Sequence, residues 1–438
     1  MKKINFPIKA PAHMARPVRV LFSVLSAIAL SATHASASAQ TLDFDSALRA
    51  AEQRAPQLQA RSAGVRGAQA LQAGAAQLPA PKLTLGIDSL PVTGPNRGSL
   101  TRDDSTQRQI GWMQDVPNRA KRAARADAAL ARADREQALL RLEQLNVRRE
   151  TGLAWLASYF AAKRLASFDE LINQQALLQR TAPAQFAAGR IAPADVTALG
   201  IEALALEDRR DELRREAAQA GAMLARWVGD ANSDAGSGPP RADTAAPLPV
   251  LTVDRTFLLA NLTRNPEIAA LAPMRALASA GVREAEAAGR GDWSWSVSYG
   301  RRGPGYGDLL SVLLSFELPL TPAQRQQPQM RAGQHELERL TAEHDELLRK
   351  QTQELDLLLA ELAELDGKLT RLSQQAQPLA AQHAALTLAA YESGRDKLAA
   401  VLESRKRQTE LSLRALELQS KQRAVQWRLN SIVAEPTP

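Results

Sequence analysis

Cysteine is absent from all 438 residues. With it go a disulfide framework, a thiolate metal site and a thiol that could accept a lipid. Histidine is scarce as well: past residue 39 only His335, His344 and His383 occur, so imidazole chemistry has little to draw on. Aromatics amount to 4%, too few for a compact aromatic core, while Ala, Leu, Gln, Arg and Glu dominate and favour long helices. Beyond the N-terminal region no apolar run approaches the roughly 18 residues of a membrane helix. There is no Walker A loop, and His335-Glu336 belongs to no H-E-x-x-H pair. Gly303-Pro-Gly305-Tyr-Gly307 precedes no helix and reads as a hairpin loop rather than a phosphate cradle. The expectation is a non-enzyme without cofactor or metal.

The first 39 residues have the layout of a secretory signal peptide. Lys2, Lys3, Lys9, Arg16 and Arg19 precede an apolar run of about 13 residues (Val20 to Ala32), followed by small residues ending at Ala39. These five cations account for most of the formal net charge of +8, leaving +3 for residues 40–438. A basic surface for nucleic acid is therefore not expected.

Past this leader the chain repeats itself at an offset of about 205 residues. Phe186-Ala-Ala-Gly189-Arg190 followed by Val196 is answered by Tyr391-Glu-Ser-Gly394-Arg395 followed by Val401. Arg54-Ala-Pro56 is answered by Arg264-Asn-Pro266, and Val116-Pro117 by Leu318-Pro319. The expected units are a first repeat over 40–228, a Gly/Pro/Ser/Asp-rich linker over 229–253 and a second repeat over 254–438. Each holds a helix, two strands, a very long helix and a shorter one. The first helix is expected over 44–79, capped by Asp43 or Asp45. The first long helix is expected over 119–181, interrupted near Thr181-Ala-Pro183 and roughly 90 Å long.

The long helices carry coiled-coil seams. Positions 337, 340, 344, 347, 351, 355, 358, 362, 365, 369 and 372 are all Leu except His344 and Gln351. One 4-4 step there is a stutter that locally unwinds a supercoil. His344 fits a polar register position better than a metal ligand. The helix after Gly189 has its own seam through Val196, Leu199, Leu206, Leu213 and Leu224. Arg119, Lys121, Arg122 and Arg125 read as a solvated helix face, with lipid headgroups as the alternative.

The strands alternate at period two. Hairpins are expected at about 82–117 and 292–319, with apolar faces bearing Leu83, Leu85, Ile87, Trp112, Trp293, Trp295, Val297, Val312, Leu314 and Phe316. Of six Trp and four Tyr, Trp112, Trp293, Trp295, Tyr299 and Tyr306 fall in these hairpins, as a membrane barrel requires of its rims. Four strands cannot close a barrel, and an open edge is not tolerated in hydrocarbon. Two copies would supply eight strands and three would supply twelve. The chain is expected to oligomerise.

This layout resembles the outer-membrane efflux channel (TolC-type) family across essentially all of residues 40–438. The resemblance is carried by the duplicated motifs around Gly189 and Gly394 and the junctions at Pro117 and Pro319. Pro81 to Pro91 with Gly111 to Pro117 is similar to the heavy-metal branch (cobalt–zinc–cadmium or copper–silver). The resemblance implies a mainly α fold with a small β part: a homotrimer with a twelve-stranded barrel in the outer membrane of a Gram-negative bacterium. A coiled-coil α-helical barrel would project from it into the periplasm. It implies a periplasmic adaptor and an inner-membrane pump as partners. It places Gly189, Arg190, Val196, Gly394, Arg395 and Val401 at the adaptor-facing tips and the ten apolar strand residues against outer-membrane lipid. Two departures stand out: no Cys for a lipid anchor, and no acidic ring beside the tips, where Arg180 and Ala385 stand instead. The competing expectation is a periplasmic coiled-coil adaptor or scaffold protein of an export complex.

Overall fold

A computed structural model of the chain describes residues 41–187, 191–229, 240–249, 251–303, 305–318 and 322–432. The expected signal peptide, Gly189, Arg190, Pro319 and residues 230–239 and 250 of the expected linker lie outside the described residues. No described helix is long and apolar enough to cross a membrane.

The chain opens with a two-residue strand, β1 (Thr41–Leu42), and helix α1 (Phe44–Arg54). The Asp43 carboxylate caps α1 by accepting from the Ser46 amide at 3.2 Å. Pro56 forces Ala55 into an extended conformation (φ −60, ψ 116) and ends α1 there. Pro56 then starts α2 (Pro56–Gly74), where its missing N–H is harmless. The expected single helix over 44–79 is thus two helices, ending at Gly74.

Strands β2 (Lys82–Asp88) and β3 (Gln107–Val116) lead into α3 (Arg119–Ala187). At 69 residues, α3 is roughly 100 Å long. The break expected near Pro183 does not occur, and Pro183 is carried inside the helix. Tertiary packing overrides the local penalty: Ala182 is buried in a cluster with Ile191, Leu199 and Leu398. Helix α4 (Pro193–Val228) returns alongside, burying Leu199, Leu206, Leu213 and Leu224 as its seam.

Next come β4 (Arg241–Ala242), α5 (Arg255–Ala260), a 3₁₀ turn (Leu262–Arg264), α6 (Pro266–Ala269) and α7 (Leu271–Ala288). Strands β5 (Trp293–Arg301) and β6 (Leu309–Phe316) follow, then α8 (Pro322–Arg371). A π-helical turn (Leu372–Ala376) joins α8 to α9 (Gln377–Glu392), and α10 (Leu398–Ile432) closes the fold. The π turn lies just ahead of Pro378, whose ring would meet the Gln374 carbonyl in a regular α-turn. The heptad seam of α8 is buried at Leu340, Gln351, Leu355, Leu358, Leu365 and Leu372. Gln351, at the stutter, is the deeply buried polar position, and it donates to Glu267 of α6 at 2.9 Å. His344 is only half-buried, facing Asp345.

The principal core lies where the two halves of the chain meet at mid-length. Phe44 packs edge-on against Trp155 and Trp427, at 5.2 and 5.0 Å between ring centres. Both indoles are satisfied: Trp155 donates to the Leu42 carbonyl at 2.7 Å and Trp427 to the Arg149 carbonyl at 2.8 Å. Part of the expected linker also belongs here. Arg241–Ala242 pairs in parallel with Thr41–Leu42, and Leu248 and Leu251 pack on the same cluster, so this stretch is docked rather than a free spacer. The shorter helices abut end to end. Val228 of α4 shares the cluster with Phe44 of α1, and Asn265 before α6 donates to the Ile432 carbonyl of α10 at 3.0 Å.

Helices α3 and α10 cross closely because residue 152 is glycine: a Cβ there would stand 2.4 Å from the Trp427 ring. Gly152→Ala is expected to cost about 1–3 kcal/mol by overpacking, read as a lower denaturant midpoint in tryptophan fluorescence. An unchanged midpoint would show that the crossing can relax.

Candidate functional site

The four longer strands form one antiparallel sheet in the order β2-β3-β5-β6. Its registers put Leu83, Trp112, Val297 and Val312 in one row, and Leu85, Ile110, Tyr299 and Leu310 in the next. Partners in a row share a face. By this register Leu83, Leu85, Ile87, Trp112, Trp293, Trp295, Val297, Val312, Leu314 and Phe316 lie on one face with Ile110, Tyr299 and Leu310. Among the described residues nothing covers this face; Leu85 is 74% exposed and Phe316 67%. The opposite face carries Thr84, Gln107, Gln109, Ser294, Ser296, Ser298, Ser311 and Ser315, with Met113, Leu309 and Leu313 as its apolar members. Strands β2 and β6 have a partner on one side only, so both sheet edges are open. Gly111 lets the wall close up, since a Cβ there would lie 2.6 Å from the Thr84 hydroxyl.

Where sheet becomes helix, a polar hub joins the two halves. The Asn118 side chain accepts from the Lys121 amide at 2.9 Å, capping α3, and donates to the Ala287 carbonyl at 2.9 Å. Asp292 accepts from the Asn118 amide at 3.0 Å and from the Lys121 ammonium at 2.8 Å. Arg125 reaches Glu284 of α7 at 2.7 Å. Lys121 and Arg125 are therefore not a freely solvated helix face: they clamp α3 to the end of α7. Partial burial works against the Asp292 charge, but the bonds from Lys121 and Asn118 outweigh it and hold the carboxyl below the usual range. The cap signal, Asn118 one residue after Pro117, was present in the sequence; Asp292 as its partner, about 174 positions away, was not.

The far ends of the long helices come together. The second tip is a Schellman cap: Gly394 has φ +72, its amide donates to the Tyr391 carbonyl at 2.9 Å, and the Arg395 amide reaches the Ala390 carbonyl at 2.8 Å. Gly394 and Arg395 are exposed. Val401 is buried and Val196 half-buried, the latter within the tip packing. In that packing Leu398 of the second half meets Ala182, Ile191 and Leu199 of the first. Thr387 and Ser404 share a hydroxyl–hydroxyl bond of 2.8 Å between α9 and α10. Among the described residues no group of three or more His, Asp or Glu is placed to hold a metal ion.

No family model and no curated protein matches the sequence. Solved structures do match in fold. A membrane protein from Pseudomonas aeruginosa superposes with TM-score 0.76 at 16% identity, over 91% of this chain and 91% of that one. CusC, in structures concerned with folding and transmembrane channel formation, gives 0.73 at 14% identity over 90% and 93%. The Campylobacter jejuni outer membrane channel CmeC gives 0.73 at 10% identity over 89% and 85%. The chain shares its fold with these structures. It is mainly helical with a small β part, as the sequence led one to expect, and the likeness spans both halves of the chain.

The hub makes a pH prediction. Because the folded-state pKa of Asp292 is depressed, its contribution is present above the unfolded value near 4 and is lost as pH falls through the folded value. Thermal unfolding of the wild type is expected to weaken below about pH 4 more steeply than that of Asp292→Asn. Parallel acid profiles for the two proteins would refute the assignment.

Proposed function

We propose that the protein is the outer-membrane channel component of a tripartite efflux system, a passive conduit from a periplasmic adaptor and inner-membrane pump to the exterior. The observation that carries this reading is the four-stranded sheet: one exposed apolar face, one largely polar face and two open edges. In hydrocarbon each open edge must find a partner, and identical neighbours offer β2 to β6. Three copies would give twelve strands, a barrel wide enough for a water-filled lumen behind the serine-rich face. Leu83, Leu85, Ile87, Trp112, Trp293, Trp295, Val297, Val312, Leu314 and Phe316 would then meet lipid.

The long helices would continue the lumen into the periplasm as a tunnel, each protomer giving two strand pairs and two long helices from an internal duplication. A polar solute crosses such a conduit without leaving water, so the chain has no chemistry to perform and the driving force belongs to the pump. The exposed tip residues Gly394 and Arg395, with Gly189 and Arg190 as their counterparts, are assigned to adaptor docking. Val196 and Val401 are assigned to holding the tip closed. The solute assigned is a heavy-metal cation, on the resemblance of residues 81–91 and 111–117 to that branch. The adaptor or scaffold reading is disfavoured because it must bury an apolar sheet face that no described residue covers.

An Arg in the middle of the lipid face costs about 2–4 kcal/mol, whereas the lumen face tolerates charge. Val312→Arg is therefore expected to abolish recovery of a heat-resistant oligomer from the outer-membrane fraction, and Ser311→Arg on the opposite face to spare it. Equal recovery of both would sink the membrane assignment. At the tip, Leu398→Asp is expected to raise the open-state conductance of channels in planar bilayers, because it breaks the contact between the two halves. Wild-type conductance in that variant would rule out the tip as the gate.

A further inference from the structure

The end of the apolar strand face farthest from the helices carries two arginines that no described carboxylate neutralises. Arg108 of β3 and Arg301 of β5 are register partners, which places their Cα atoms about 4.5–5.5 Å apart with side chains on one face. That face is the apolar one, one step beyond the row of Leu85, Ile110, Tyr299 and Leu310. Both arginines are exposed, and like charges directly opposite each other destabilise a strand pair.

The acids nearby are otherwise engaged. Asp308 accepts from the Tyr299 hydroxyl and Asp104 from the Tyr306 hydroxyl. Asp103 accepts from the Ser105 amide and hydroxyl, and Asp88, on the opposite face, from Gln109. Arg302 is held back on its own loop, donating to the Gly307 carbonyl at 3.1 Å over the Tyr306 ring. Among the described residues no carboxylate pairs with Arg108 or Arg301. Both lie on central strands, so a neighbouring copy joined at the β2 or β6 edge would not pair with them.

We propose that Arg108 and Arg301 together bind the phosphate of a phosphorylated glycolipid in the outer leaflet, its acyl chains lying down the apolar rows beneath. Two guanidinium forks converging on one dianionic group supply charge-assisted, bidentate bonds and remove the like-charge repulsion. The apolar rows next to the pair favour a lipid over free phosphate as the source. This inference rests on reading the strands as the membrane wall.

The test is native mass spectrometry of the detergent-solubilised full-length oligomer with bisphosphorylated lipid A, with its dephosphorylated form and with inorganic phosphate alone. The wild type is expected to retain the phosphorylated lipid roughly tenfold better than the dephosphorylated one. Arg108→Gln/Arg301→Gln is expected to bring the two to parity. Arg102→Gln, in the neighbouring loop, should leave the preference intact. Arg108→Lys/Arg301→Lys keeps the charge without the fork; it is expected to keep part of the preference and guards against misfolding of the glutamine pair. Equal retention by wild type and the glutamine variant overturns the proposal. So does capture of inorganic phosphate with no preference between the two lipids. Failure of the wild type itself to form a heat-resistant oligomer would instead overturn the channel reading, and is scored on the same samples.

Discussion

A backbone amide in hydrocarbon has no water to bond, so a sheet placed there must leave no edge unpaired. Among the described residues, the four-stranded sheet has two open edges and an apolar face that no other element covers. Strands from other copies, as proposed above, would complete the wall and satisfy both features at once. The rest of the architecture follows from holding such a sheet at one end of helices roughly 100 Å long. The strand pairs sit side by side, β3 against β5, so the two halves of the chain are joined by nine register pairs from Arg108–Arg301 to Val116–Trp293. The Asn118–Lys121–Asp292 hub locks the same two halves where the helices begin.

The helices face a different problem. A rod of that length has little interior, so the stabilising burial is spread along seams and gathered at a few crossings. Leu355, Leu358 and Leu365 form one such seam, while Phe44, Trp155 and Trp427 form the main crossing. The three aromatics of that crossing, with Tyr159 stacked on Trp155, are a large share of a small aromatic complement. The remaining Trp and Tyr lie mostly on the strands. Aromatics are thus spent at the crossing and at the sheet, and leucine and alanine elsewhere. The π turn before Pro378 and the intact helix through Pro183 show the same balance. Proline imposes a local cost, and packing decides whether the helix widens or simply absorbs it.

Much of this was legible in the residues. Period-two alternation in Trp293 to Tyr299 and in Leu310 to Phe316 placed the strands and selected their apolar side, because alternation is a direct consequence of the pleat. The Leu repeat from 337 to 372 placed a seam, since only that stripe can stay apolar along a paired helix. Other features were not legible. Two-residue strands such as Thr41–Leu42 and Arg241–Ala242 are too short to show any period, and they pair across about 200 residues. Pro56 carried a readable stop signal, and it ends one helix and starts the next. Pro183 carried an equally readable one that the packing of Ala182 annulled.

The local rules of helix and strand therefore lie in the sequence alone: where the chain alternates and where it repeats every seven. Which residues from the two halves stand opposite each other was settled only by the folded chain. Asp292 meets Lys121, Trp427 meets Gly152, Leu398 meets Ile191 and Arg301 meets Arg108 because helices and strands far apart in sequence are brought into one register. Periodicity is a property of neighbours along the chain, whereas register between distant segments is a sum over many weak contacts, which no single stretch of residues records.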